Sequence, residues 1–141
     1  MKTVKILTGL GLCALLLSFT LGGDRYVIKL DTKEVADQFV TRNASLPTVA
    51  LPARDRTKTL SVYYSECGRV GTDRSLTLKN SDQQVLKVWR FGDDALETME
   101  ISTGELVAAM RSQSNYLYYN SREHRGGQKL ISITRAASTA K

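Results

Sequence analysis

The chain has 141 residues, 42% of them hydrophobic and 24% charged, with a formal net charge of +6. That is room for one ordinary domain and an address signal. Two cysteines and one histidine exclude a disulfide framework and a structural zinc site. A mild cationic excess without a basic helix or recognition motif argues against nucleic acid as a partner.

In chain order, Met1 to Lys5 carries Lys2 and Lys5, and Ile6 to Leu21 then runs without a charge. A cationic start before a short apolar run is the layout of a secretory signal. Residues 1–22 are therefore expected to be a signal peptide, cleaved before Gly23. The alternative is an uncleaved membrane anchor. As a helix the run rises roughly 24 Å, short of a ~30 Å hydrocarbon core, which favours cleavage. Either form places the remainder outside the cytoplasm, periplasmic or secreted if cleaved, held at the inner membrane if not. Lipidation at Cys13 is disfavoured by the bulky Leu12 before it.

Residues 23–141 read as one antiparallel β-sandwich, or a barrel-like relative, with one short helix. Val35, Ala36, Phe39 and Val40 fit a helix, but Asp31-Thr32-Lys33 is turn chemistry and favours a hairpin. Pro47 and Pro52 bracket a short edge strand or extended connection, Thr48 to Leu51. From Thr59 the period is two: Leu60, Val62 and Tyr64 share one face, and Leu76 and Leu78 alternate with Ser75, Thr77 and Lys79. Asn80-Ser81-Asp82 and Gly92-Asp93-Asp94 are turns. Between them Val85 to Phe91 is apolar on both faces and suits a central strand. Leu96 to Ile101, Asn115 to Tyr119 and Lys129 to Thr134 complete the strand series. Ser102 and Glu105 form a capping box for a helix near Thr103 to Arg111, with Arg111 suited to its C-terminal end. The expected core includes Leu76, Leu78, Leu86, Val88, Met110 and Leu117.

Candidate chemistry is sparse. Cys67 lies in a Gly-containing, charged loop, and Cys13 falls in the apolar segment, so no internal bridge can form. A nucleophile would need a base, and His124 is the one histidine. Glu66 opposes thiolate formation, no hydrolase signature surrounds the residue, and a sheltered cysteine on a hairpin rim is expected. Gly68-Arg69-Val70-Gly71 is not followed by the helix a phosphate loop needs, so its glycines are expected to provide positive φ. Asp93-Asp94 reads as a turn before it reads as calcium ligands. Asn43-Ala44-Ser45 is a glycosylation pattern of chance frequency. Arg122, His124, Arg125 and Lys129 read as a solvated loop. Any two of 14 acids can be paired on paper for glycoside hydrolysis, so that proposal carries no information.

The informative residues are aromatic. The alternation sends Tyr63, Trp89, Tyr116 and Tyr118 outward, with Lys87 beside Trp89. Outward rings offer flat apolar area with a polar tip, which suits a protein or carbohydrate partner. The expectation is a non-catalytic binding or interaction module without a cofactor or metal. A small hydrolase using Cys67 or a carboxylate pair is the alternative, and a membrane partner enters only if residues 1–22 stay attached.

Export is testable directly. Mass analysis of secreted or periplasmic material is expected to give a mature N-terminus near Gly23. Full-length chain in the soluble cytoplasm would contradict both the signal and the anchor.

Overall fold

The computed structural model describes residues 23–54, 56–93 and 98–137; the apolar segment before them lies outside this range. Among the described residues no helix is long and apolar enough to cross a membrane. The strands are β1 (Arg25–Leu30), β2 (Lys33–Phe39), β3 (Thr48–Leu51), β4 (Thr59–Ser65), β5 (Arg74–Asn80), β6 (Val85–Gly92), β7 (Thr98–Ser102), β8 (Ser114–Asn120) and β9 (Gln128–Arg135). One helix, α1 (Thr103–Ala109), lies between β7 and β8. The strands form a four-stranded sheet, β2-β1-β4-β7, and a five-stranded sheet, β3-β9-β8-β5-β6. All pairings are antiparallel except β3 with β9. The two sheets pack as a β-sandwich.

Period-two alternation decides what faces inward. Leu60, Val62 and Tyr64 of β4 are fully buried against Leu76, Leu78, Leu117 and Tyr119 of the other sheet. Within the 31–40 segment Lys33–Phe39 is strand β2, paired with β1 through a turn at which Asp31 adopts a φ of 54°. The short Thr48–Leu51 segment is an edge strand, as its flanking prolines imply.

The helix starts as its cap dictates, with Ser102 Oγ accepting from Glu105 N at 3.1 Å. Two details differ from the sequence expectation. Glu105 does not complete the box; its carboxylate reaches β6 instead, at Lys87 and Trp89. The helix ends at Ala109, before Arg111, and the Met110 carbonyl accepts from Arg135 of β9 at 2.8 Å.

Strand β6 departs most from expectation. It is an edge strand, not a central one. Trp89 pairs with Leu76 and Lys87 with Leu78, and cross-strand partners share a face. Trp89 and Lys87 are therefore on the inward side, while Val88, 39% exposed, points out opposite Thr77. Burying Trp89 and Phe91 removes more apolar area than burying Val88 would, which sets the phase of the strand. A register shift between Leu78 and Lys79 leaves Leu86 half-buried. The Lys87 amine escapes the interior by pairing with Glu105 at 3.4 Å.

The corrected core sets a stability test. Leu76→Ala or Leu117→Ala is expected to cost about 2–5 kcal/mol. Val88→Ala, on the outer face, is expected to stay within about 0.5 kcal/mol. Urea unfolding midpoints would separate the two classes.

Candidate functional site

Two regions hold the polar and aromatic groups of interest: one pole of the sandwich, and the outer faces of its sheets.

At the pole, buried phenols bring carboxylates with them. Tyr64 of β4 stacks on Tyr119 of β8 at 3.9 Å between ring centroids, and Tyr26 lies parallel to Tyr64 at 6.4 Å. A buried hydroxyl must find a partner. Tyr26 donates to the Leu130 carbonyl at 2.8 Å, Tyr64 to Asp24 at 2.8 Å and Tyr119 to Glu66 at 2.9 Å. Burial and then the neighbouring carboxylate push both the Tyr64 and Tyr119 phenols far up, so both remain donors. Gly71 is required by close approach: a Cβ there would lie 2.6 Å from Glu66 Oε1 and closer still to the Tyr119 hydroxyl.

Asp24 is the hub. Besides Tyr64, it faces His124 Nε2 at 2.7 Å, the Cys67 backbone N–H at 3.1 Å and the Cys67 thiol at 3.6 Å. Desolvation raises its carboxyl, but the hydrogen bonds from Tyr64 and His124 outweigh this and the net displacement is downward. Cys67 and His124 thus meet at one carboxylate, not at each other. The His124 Nε2 is occupied by Asp24, so this nitrogen is engaged with the carboxylate and not with the sulfur. Desolvation, the hydrogen bond to Asp24 and the charges of Asp24 and Glu66 push the Cys67 thiol up, away from the nucleophilic thiolate.

Cys67 is exposed, contrary to the sheltered position expected of it. With φ of 50° and 86°, Cys67 and Gly68 are the central pair of a two-residue hairpin between Glu66 and Arg69. The turn forces the side chain to the tip. Asp93 accepts from Asp73 N at 2.6 Å, as a loop tie; Asp94 lies outside the described residues. Among the described residues no cluster of His, Cys, Asp or Glu is arranged to hold a metal ion.

The five residues singled out as a recognition surface do not come together. Tyr63 lies on the outer face of the four-stranded sheet, opposite Val27 and Thr98. Trp89 and Lys87 are on the inward side of β6. Tyr116 and Tyr118 lie on the outer face of the five-stranded sheet, and they do form a set. Tyr118, flanked by Lys79 on β5 and Lys129 on β9, has their ammoniums 4.5 Å and 5.7 Å from its ring centroid. Lys129 also lies 4.6 Å from the Tyr116 ring. Tyr118 itself is only 8% exposed, with its hydroxyl donating to Gln83. The rings are platforms for lysines, and the lysines are what the surface presents. The sequence reading gives Lys79, Lys129, Asp24 and Glu66 no binding role; the outward phase of Lys79 is the available signal.

The pole predicts an acid response. The hydroxyl and backbone N–H of Thr72 bond Glu123 at 2.7 Å and 3.0 Å and hold its carboxyl down from 4.5 to about 2. A depressed pKa contributes stability present above the unfolded value and lost as pH falls through the folded one. Between about pH 4.5 and 2, the urea midpoint of the wild type is expected to fall more than that of Glu123→Gln; parallel curves would refute the clasp. Comparison with protein-family models, curated proteins and solved structures finds no match to this chain.

Proposed function

We propose that this chain is an exported, non-catalytic binding module that uses the outer face of its five-stranded sheet to hold an acidic partner. One observation carries the reading: Lys79 and Lys129 lie over tyrosine rings, and no carboxylate among the described residues pairs with either. Elsewhere the protein neutralises such groups, as in Arg25 with Asp37 and Lys87 with Glu105. Two like charges sharing one ring repel each other, and the ring quadrupole offsets that by about 0.5–1 kcal/mol per exposed contact. An incoming anion supplies what the face lacks. The ring contacts also restrict the lysine rotamers in advance, which lowers the entropy lost on binding.

The chemistry favours an acidic glycan over an acidic protein. An ordinary protein interface has an apolar centre and a polar rim. Here the centre is cationic, and the outward neighbours Asn120, Ser132 and Thr134 are hydrogen-bonding groups suited to hydroxyls. Strand β6 adds Arg90 on the same face, paired across from Ser75.

Alginate is a suitable probe. Retention is expected at low salt and should weaken as salt screens the contact. The double variant Lys79→Gln, Lys129→Gln should lose roughly tenfold in affinity at an unchanged melting temperature. Absence of retention at low salt, or retention indifferent to the double variant, would overturn the reading. Equal, lysine-dependent retention of polyglutamate would put an acidic protein in the place of the glycan.

A further inference from the structure

The outer face of the four-stranded sheet has a different character. Two cross-strand rows run side by side, Val27–Tyr63–Thr98 and Lys29–Ser61–Glu100. Ser61 and Tyr63 are two residues apart on β4 and share a face. The surface sinks at the short serine, between the tyrosine ring and the longer Lys29 and Glu100. The result is an open depression of about 320 Å³ lined by Val27, Lys29, Ser61, Tyr63 and Thr98. That is the lower end of the range for ligand sites, about 300–1,000 Å³. It suits one ring-sized occupant.

Charge selects the class of that occupant. Arg25 is closed onto Asp37 by two hydrogen bonds, at 2.9 Å and 2.7 Å. Lys29 stands opposite Glu34 on β2, and Glu100 stands across Ser61 from it. Cations and carboxylates interleave here, so an ionic ligand gains little from one without facing the other. Tyr63 offers a flat apolar ring with a hydroxyl tip. Ser61 and Thr98 can each donate and accept, and Lys29 donates. An apolar platform beside a floor of small hydroxyls complements a molecule with one C–H face and a rim of hydroxyl groups.

We propose that this depression is a binding site for one neutral pyranose ring, stacked on Tyr63 with its hydroxyls over Ser61, Thr98 and Lys29. The site is independent of the lysine face, since it lies on the other sheet and rests on other residues. The module then carries one sugar-binding surface per outer face, one for acidic chains and one for neutral rings.

The test titrates ¹⁵N-labelled protein with cellobiose, maltose and N,N′-diacetylchitobiose. At least one is expected to shift the amides of Lys29, Ser61, Tyr63 and Thr98. Its affinity should fall about tenfold or more in Tyr63→Ala and in Ser61→Leu, which fills the floor. Tyr63→Phe should keep most of the binding, and the Lys79→Gln, Lys129→Gln protein should keep all of it. If Tyr63→Ala unfolds the sheet, Ser61→Leu decides, because its added bulk faces solvent. No shift with any of the three disaccharides, shifts confined to other surfaces, or an affinity unchanged by Ser61→Leu would overturn the proposal. Binding lost with the lysine pair would assign the sugar to the other face and overturn it as well.

Discussion

The contact on which the rest of the structure turns is the stack of Tyr64 on Tyr119, one ring from each sheet at 3.9 Å. A β-sandwich is closed by whatever its inner faces bury, and most of that here is aliphatic. Aliphatic groups need no partners, but phenols do. A buried hydroxyl left without one costs about 1–3 kcal/mol. The chain answers with Asp24 and Glu66 at the pole where the two rings end. Once there, those carboxylates attract further donors: His124 and Cys67 to Asp24, Ser121 to Glu66. Loop order at this pole is therefore a consequence of how the core was filled. The Glu123–Thr72 clasp extends it from one loop to the next.

The same logic explains how much of the fold was legible. Leu60-Ser61-Val62-Tyr63-Tyr64 announces its phase because apolar and polar residues alternate in plain view, and the buried set follows. The Ser102 cap is legible because it acts within one turn. Strand β6 was not, because both of its faces are apolar and alternation cannot choose between them. The choice was made by Trp89 and Phe91, whose area outweighs that of the valines, and by Glu105, which arrives from a helix far along the chain to receive Lys87. An inward lysine on an edge strand also discourages pairing with another sheet. Lys87 and Trp89 both bond Glu105 at this edge of the sheet.

The residues of the proposed lysine surface are hidden for a related reason. Tyr116 and Tyr118 could be placed outward from β8 alone, but their lysines come from β5 and β9. Which strands flank β8 is a property of topology, and local periodicity carries no information about it. Cys67 was misjudged by the opposite route. Its hairpin is legible, but a two-residue turn with both central φ positive puts the residue at an exposed tip, from which the thiol reaches Asp24.

Electrostatics then separates the pole from the faces. At the pole every cited carboxylate already has donors, and the thiol is raised by its surroundings. Those bonds hold the loops of the pole together. The outer faces carry no such obligation. Lys79 and Lys129 rest on rings that neither neutralise them nor bind them tightly. On the opposite face, Tyr63 stands beside a serine that leaves space above the sheet. Groups there can exchange water for a ligand without breaking a contact on which the sandwich depends. Both proposed binding surfaces therefore lie where the core makes no demand.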